Sequence, residues 1–195
     1  MRILKSLAGA ALALSVLAGC AGQPTVTRNA VSQSEVEGLA DAIRDLGPGV
    51  DPAEADRAAR IAYDYARQLA VTYNVTDPPL VHNAKVNSGI RERGICVHWA
   101  EDIEARLKQE NFRTLQLHRA IADPDNPFRV DHSTAIISRR GDTLYQGIVL
   151  DGWRNSGDLH WAPTLADTRY NWRPRLDVLY DKQLARERRQ AAAAN

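Results

Sequence analysis

The sequence predicts an α+β domain in which helices pack on an antiparallel β-sheet, and three observations carry that prediction. Helical periodicity dominates residues 34–110, short runs rich in Leu, Ile, Val and Thr dominate 114–150, and turn-forming residues separate those runs. Helices first and strands afterwards favour antiparallel pairing over alternating βαβ units. A chain of 195 residues, 44% of them apolar, suits one core preceded by a processed leader and leaves little room for a second domain.

The elements follow in order. Ser34 and Glu37 have the spacing of a capping box, and Val36, Leu39, Ala40 and Ile43 continue at helical intervals until Gly47-Pro48-Gly49, which predicts a helix over 35–46. Asp51-Pro52 opens a second helix reaching about Val71, whose alanines imply close packing against a neighbour. Residues 74–93 hold Asp77-Pro78-Pro79 and Gly89, lack a clean period, and read as an extended loop. From Gly94 the pattern is helical again: Cys96, Trp99, Ala100, Ile103 and Leu107 share one face of a helix ending near Glu110. Strands are expected at 114–120, 130–138 and 143–150, with short candidates near His160 and at 176–179. The tail 182–195 is polar and basic and reads as a frayed helix or a disordered end.

Residues 1–19 read as a leader, with Arg2 and Lys5 before an apolar run too short to span a bilayer. Leu17-Ala18-Gly19-Cys20 resembles the lipobox of bacterial lipoproteins, which implies that Cys20 is acylated and becomes the mature N-terminus. Residues 20–33 would then be the lipidated Cys and a flexible tether, and 34–181 the domain with its N-terminal helices. Ala21 does not match the Asp of an inner-membrane retention signal, so the expected place is the cell envelope, at the outer membrane facing the periplasm. Losing Arg2 and Lys5 with the leader turns the formal charge from +1 to −1, which gives no electrostatic case for a nucleic-acid partner.

If Cys20 is lipidated, Cys96 is the one remaining thiol, which rules out an internal disulfide. Such a thiol is either a small buried hydrophobe, paired with another molecule, or reactive. Its place in the first turn of a helix suits a nucleophile, because unsatisfied N–H groups and the helix dipole stabilise a thiolate and can bind an oxyanion, but its apolar face shared with Trp99 and Ile103 by itself suits a small buried hydrophobe better. A two-residue Gly141-Asp142 loop would make residues equidistant from it pair, which puts His132 directly opposite Asp151 and within reach of a carboxylate–imidazole bond. A nucleophile, a base and an orienting carboxylate are the parts of an activated-thiol site.

Three motifs, Gly94-Ile95-Cys96-Val97-His98-Trp99-Ala100, Asp131-His132-Ser133-Thr134-Ala135 and Val149-Leu150-Asp151-Gly152-Trp153, resemble those of bacterial transglutaminase-like cysteine proteins. The likeness spans roughly residues 78–165. It implies a papain-like, transglutaminase-like core with Cys96 as nucleophile, His132 as general base then acid, and Asp151 orienting His132. It also implies a peptidase or amidase acting on a peptide, protein or peptidoglycan-peptide substrate, a transamidase with the same triad, or a catalytically silent binding or scaffolding relative. No cofactor is implied. Where papain-type enzymes carry an oxyanion side chain six residues before the Cys, this chain has Ile90, which cannot donate; Asn83, Asn87 and His82 stand nearby in the preceding loop as substitutes or as turn residues. Trp153 and Trp161 could line a substrate groove or pack under the sheet. His98, His118 and His160 show no metal spacing, and no metal site is expected.

Overall fold

A computed structural model describes residues 28, 30–122 and 130–194; the leader, Cys20 and most of the expected tether lie outside them. Five helices and five strands follow: α1 (Gln33–Arg44), α2 (Pro52–Thr72), α3 (Pro79–Asn87), α4 (Cys96–Lys108), β1 (Leu115–Ala122), β2 (His132–Arg139), β3 (Ile148–Asn155), β4 (Asp158–Pro163), β5 (Arg173–Pro174) and α5 (Arg175–Ala193). The strands form one antiparallel sheet in the order β4-β3-β2-β1-β5, so the α+β class holds.

Helix α1 starts two residues earlier than the Ser34–Glu37 spacing predicts. Ser32 caps it: the Ser32 hydroxyl accepts from Glu35 N at 3.2 Å, and a Glu35 carboxylate oxygen accepts from Ser32 N at 2.8 Å. Both serines fit the capping pattern, but the earlier cap also lets Val31 pack on the core. The expected slack therefore ends sooner than residue 33. Arg28 is already docked on the body, its guanidinium donating to Ser156 O and Val75 O, each at 2.6 Å.

Asp51 caps α2 with Pro52 in the first turn. Ala55, Ala58, Ala59, Ala62 and Ala66 are wholly buried, and Leu39 and Ile43 of α1 share their cluster. Small side chains let the backbones of two helices approach closely, as the alanine count implied. The same cluster extends through Trp99, Ile103 and Leu107 of α4 to Ala135, Ile137, Ile148 and Leu150 of the sheet. A second, smaller cluster of Ala120, Ala122, Ile136, Leu144, Val149 and Trp172 covers the other sheet face. Ala135 and Ile137 facing one cluster and Ile136 the other is the period-two alternation of a strand buried on both sides.

Helix α4 lies close to β3 because Gly152 has no side chain. A Cβ there would stand 2.7 Å from Cε3 of Trp99 and 3.1 Å from Cδ1 of Ile103.

Four expectations need correction. Residues 79–87 form helix α3 rather than extended loop; Pro79 takes its first turn, and because His82 is its buried residue while Leu80 and Val81 stay exposed, it has no apolar period to read. The strand expected from 143 begins at 148, since Thr143 and Gln146 close a capping box around a 3-10 turn, Leu144–Gln146. Residues 176–179 belong to α5, with Val178 buried, and are not a strand. Finally, the β2–β3 register is displaced by two: Ala135 pairs with Leu150, Ile136 with Val149 and Ile137 with Ile148, which takes His132 out of direct opposition to Asp151.

Candidate active site

The displacement by two leaves His132 and Asp151 on one face, because strand side chains alternate with period two and only an odd slip would separate them. The pair becomes diagonal, within reach of long side chains, and His132 Nε2 lies 2.6 Å from an Asp151 carboxylate oxygen. The Trp153 ring centroid lies 4.8 Å from the imidazole.

Cys96 opens α4 at the end of a backbone stretch held at three points. His82 Nε2 bonds Arg93 O at 3.0 Å, Gly94 N donates to His98 Nδ1 at 3.1 Å, and Trp99 Nε1 donates to Gly94 O at 2.8 Å. Burial, helped by the nearby Arg93 charge, lowers the His98 pKa and keeps its ring neutral, so Nδ1 can accept. Gly94 has φ +120°, and a Cβ there would fall 2.3 Å from His82 Nε2; this bend lets the chain enter the helix over the buried histidine. His82 is therefore a support beneath the site, with its ring 1% exposed.

The Cys96 thiol points toward Asp131 O at 3.7 Å, which places it at the head of β2, one residue before His132. Nδ1 of His132, the ring nitrogen not held by Asp151, is buried without a hydrogen-bond partner among the described residues. Burial opposes charge on this ring. The Asp151 carboxylate, through attraction and its hydrogen bond, outweighs that opposition with help from the adjacent Cys96 and pushes the His132 pKa up to about 9.

Asp151 is fully enclosed, which disfavours its charge, yet His132 and Arg154 hold its carboxyl below the usual range. One oxygen accepts from Trp153 N and Arg154 N, each at 3.0 Å; the other accepts from His132 and from Arg154 Nε at 3.1 Å. Arg154 reaches on to Asp167 through both terminal nitrogens, at 3.1 and 2.7 Å, and Asp167 also accepts from Trp172 Nε1 at 3.0 Å. The carboxylate is thus compensated on every side, as a buried charge must be.

Three aromatic rings close around the imidazole: Trp153, Tyr170 at 4.5 Å and Trp172 at 5.4 Å between centroids. Arg154 lies over the Tyr170 ring at 4.8 Å. Tyr170, Trp172, Arg154 and Asp167 were not among the residues singled out from sequence. The spacing of Arg154 three residues after Asp151, and the paired aromatics in an otherwise polar stretch, were the signals available.

Cys96, His132, Asn83, Trp153, Tyr170 and Leu80 line a cavity of about 420 Å³ that is more apolar than polar. Asn83 comes in from α3, and Trp153 Nε1 donates to its carbonyl oxygen at 2.9 Å. Asn87, near the end of α3, is exposed and does not line that cavity; Ile90 is 64% exposed. Trp161 takes a packing role, its indole N–H donating to Tyr63 OH at 3.0 Å under α2. His118 bonds Ser138 Oγ at 2.8 Å. Among the described residues no cluster of His, Cys, Asp or Glu could hold a metal ion, and no helix is long and apolar enough to cross a membrane. Comparison of the chain with family models, with curated proteins and with solved structures gave no match.

Proposed function

We propose that the chain is a cysteine hydrolase, a peptidase or amidase, that cleaves a peptide or isopeptide amide through a thioester on Cys96. One observation carries the reading: a thiol at a helix start stands beside an imidazole whose far nitrogen is held by a buried carboxylate, and the thiol and imidazole line one cavity. A Cys on a leading helix and a His and an Asp on neighbouring antiparallel strands are what a papain-like or transglutaminase-like core would supply. The three motifs that resemble that family support the same assignment.

The chemistry follows from the charges. With its pKa near 9, His132 is an imidazolium at neutral pH, and its charge stands beside the Cys96 sulfur, where it favours the nucleophilic attack. The thiolate attacks the amide carbonyl, forming the C–S bond. His132 Nδ1–H then protonates the departing nitrogen as the C–N bond breaks, releasing an amine and leaving a thioester. A water molecule gives its proton back to the now neutral ring and attacks the thioester, and the thiolate departs from the acid product. Asp151, bound to Nε2, keeps the ring oriented and stabilises its charge throughout.

The lipobox-like Cys20 supports a membrane-anchored chain in the cell envelope, and the proposed substrate is a peptide, protein or peptidoglycan peptide there. Fluorogenic peptide amides incubated with the mature chain test the reaction. Release of the amine should depend on Cys96 and fall by about 10³-fold or more in Cys96→Ala and in His132→Ala. A Cys96→Ala chain as active as wild type would refute the assignment. Added primary amine separates hydrolysis from transfer, because a transamidase would give the new amide in place of the acid.

A further inference from the structure

We infer that Asp167, acting through Arg154, is a positioning residue for the cleavage: it takes up the guanidinium charge so that Asp151 is left to His132, and it fastens Trp172 and Tyr170 over the imidazole. This role rests on the cysteine-hydrolase reading above.

The contacts run in a closed circuit. Arg154 presents one edge of its guanidinium to each carboxylate: Nε donates to the Asp151 oxygen that also bonds His132, and the two terminal nitrogens grip Asp167 in a fork. The Asp167 carboxylate accepts in turn from Trp172 Nε1, and its backbone oxygen accepts from Tyr170 N at 3.2 Å. Both of those rings cover the imidazole, which closes the circuit. The Arg154–Asp167 pair therefore holds residues 164–172, which form no helix or strand, against the end of β3.

Charge is the second observation. None of the four ionisable side chains His132, Asp151, Arg154 and Asp167 is more than 9% exposed, so they must balance one another. Two carboxylates and one guanidinium leave one negative charge, and a protonated His132 cancels it. Without Asp167 the set would be neutral with His132 uncharged, because Arg154 would satisfy Asp151 by itself. Burial works against charge on Asp167, but the bonds from Arg154 and Trp172 hold its carboxyl below the usual range, so it is ionised. The surrounding groups leave this balance alone. Asp131, at the head of β2, is paired with Lys182 of α5, and His160, across from Asp151 on β4, is kept neutral by burial and by Arg154. Arg169 is exposed and lies 5.8 Å from the Tyr170 ring, and Cys96 faces His132 from α4.

Titration of His132 by histidine-selective NMR in three variants tests this. Asp167→Asn keeps the side-chain shape and an oxygen for Trp172 but turns the whole Arg154 charge on Asp151. Its His132 should lose the proton about one pH unit below the wild-type value of about 9. Arg154→Gln removes the competitor for Asp151 and should move the titration about one pH unit the other way. The double variant again leaves one carboxylate for one imidazolium, and should return to within about half a pH unit of wild type. The alkaline limb of amide hydrolysis, where His132 gives up its proton, should move with the titration in each variant. A merely structural role would loosen Asp151 every time and lower the titration in all three. Three downward shifts, or an Asp167→Asn chain that titrates within about 0.3 pH units of wild type, would overturn the role of Asp167. If Asp167→Asn does not fold, Arg154→Gln and the double variant make the same comparison, and equal titrations in those two would overturn it. A wild-type chain that hydrolyses no amide would instead overturn the hydrolase reading, with the titrations still deciding the charge balance.

Discussion

Replacing Asp151 by Asn removes one charge and changes almost nothing in shape, so it isolates what the carboxylate does for His132. In the native chain burial disfavours the imidazolium, but Asp151, with Cys96, raises the pKa from 6.5 to about 9. At 1.36 kcal/mol per pH unit the rise is worth about 3 kcal/mol in favour of the charged ring. Without the carboxylate burial dominates, and His132 of Asp151→Asn should titrate below 6.5. The sign for stability follows from linkage. A group whose pKa is raised on folding contributes fully below its unfolded value and loses that contribution as pH rises through the folded one. The stability gap between wild type and Asp151→Asn should therefore be larger at pH 6.5 than at pH 10, shrinking by about 3 kcal/mol over that range. At pH 7 that gap corresponds to a fall of about 6–12 °C in melting temperature for a domain of this size. Histidine-selective NMR titration and urea unfolding at several pH values measure both. A wild-type His132 that titrates near 6.5, or an Asp151→Asn chain with the wild-type titration, would refute the account of the pair.

Two other substitutions test the frame that positions the site. Gly152→Ala puts a methyl group 2.7 Å from the Trp99 ring, and should cost about 1–3 kcal/mol, or about 2–12 °C in thermal unfolding; an unchanged melting temperature would mean that α4 does not lie this close to β3. Glu54, buried at 5% exposure, accepts from Arg113 N at 2.7 Å, Thr114 N at 2.8 Å and Thr114 Oγ1 at 2.5 Å. Burial works against its charge, but these bonds lower its pKa, so its contribution is present above about pH 4.3 and lost as pH falls through the folded value. Glu54→Gln should destabilise by about 1–3 kcal/mol at pH 7 in urea unfolding, with the difference narrowing toward pH 3.

The candidate site was legible where it depended on local rules and illegible where it depended on distant packing. Cys96 at a helix start follows from the apolar face shared with Trp99 and Ile103. His132 and Asp151 on one face follow from parity, which is why a register wrong by two still brought them together. The register itself was hidden because Thr143-Leu144-Tyr145-Gln146 reads as strand by composition while its capping box closes a turn. Helix α3 was hidden because it buries a histidine rather than an apolar stripe, and with it went the setting of Asn83. The enclosure of His132 by Tyr170 and Trp172 comes from a segment that crosses back after β4, and the spacing of nearby residues does not report such a crossing.

The pH dependence of Cys96 alkylation tests the central claim most directly. A thiolate paired with an imidazolium predicts rapid reaction with iodoacetamide still near pH 6, and His132→Ala should abolish that low-pH reactivity. A single rise centred near pH 8.5, the same with and without His132, would contradict the proposed site.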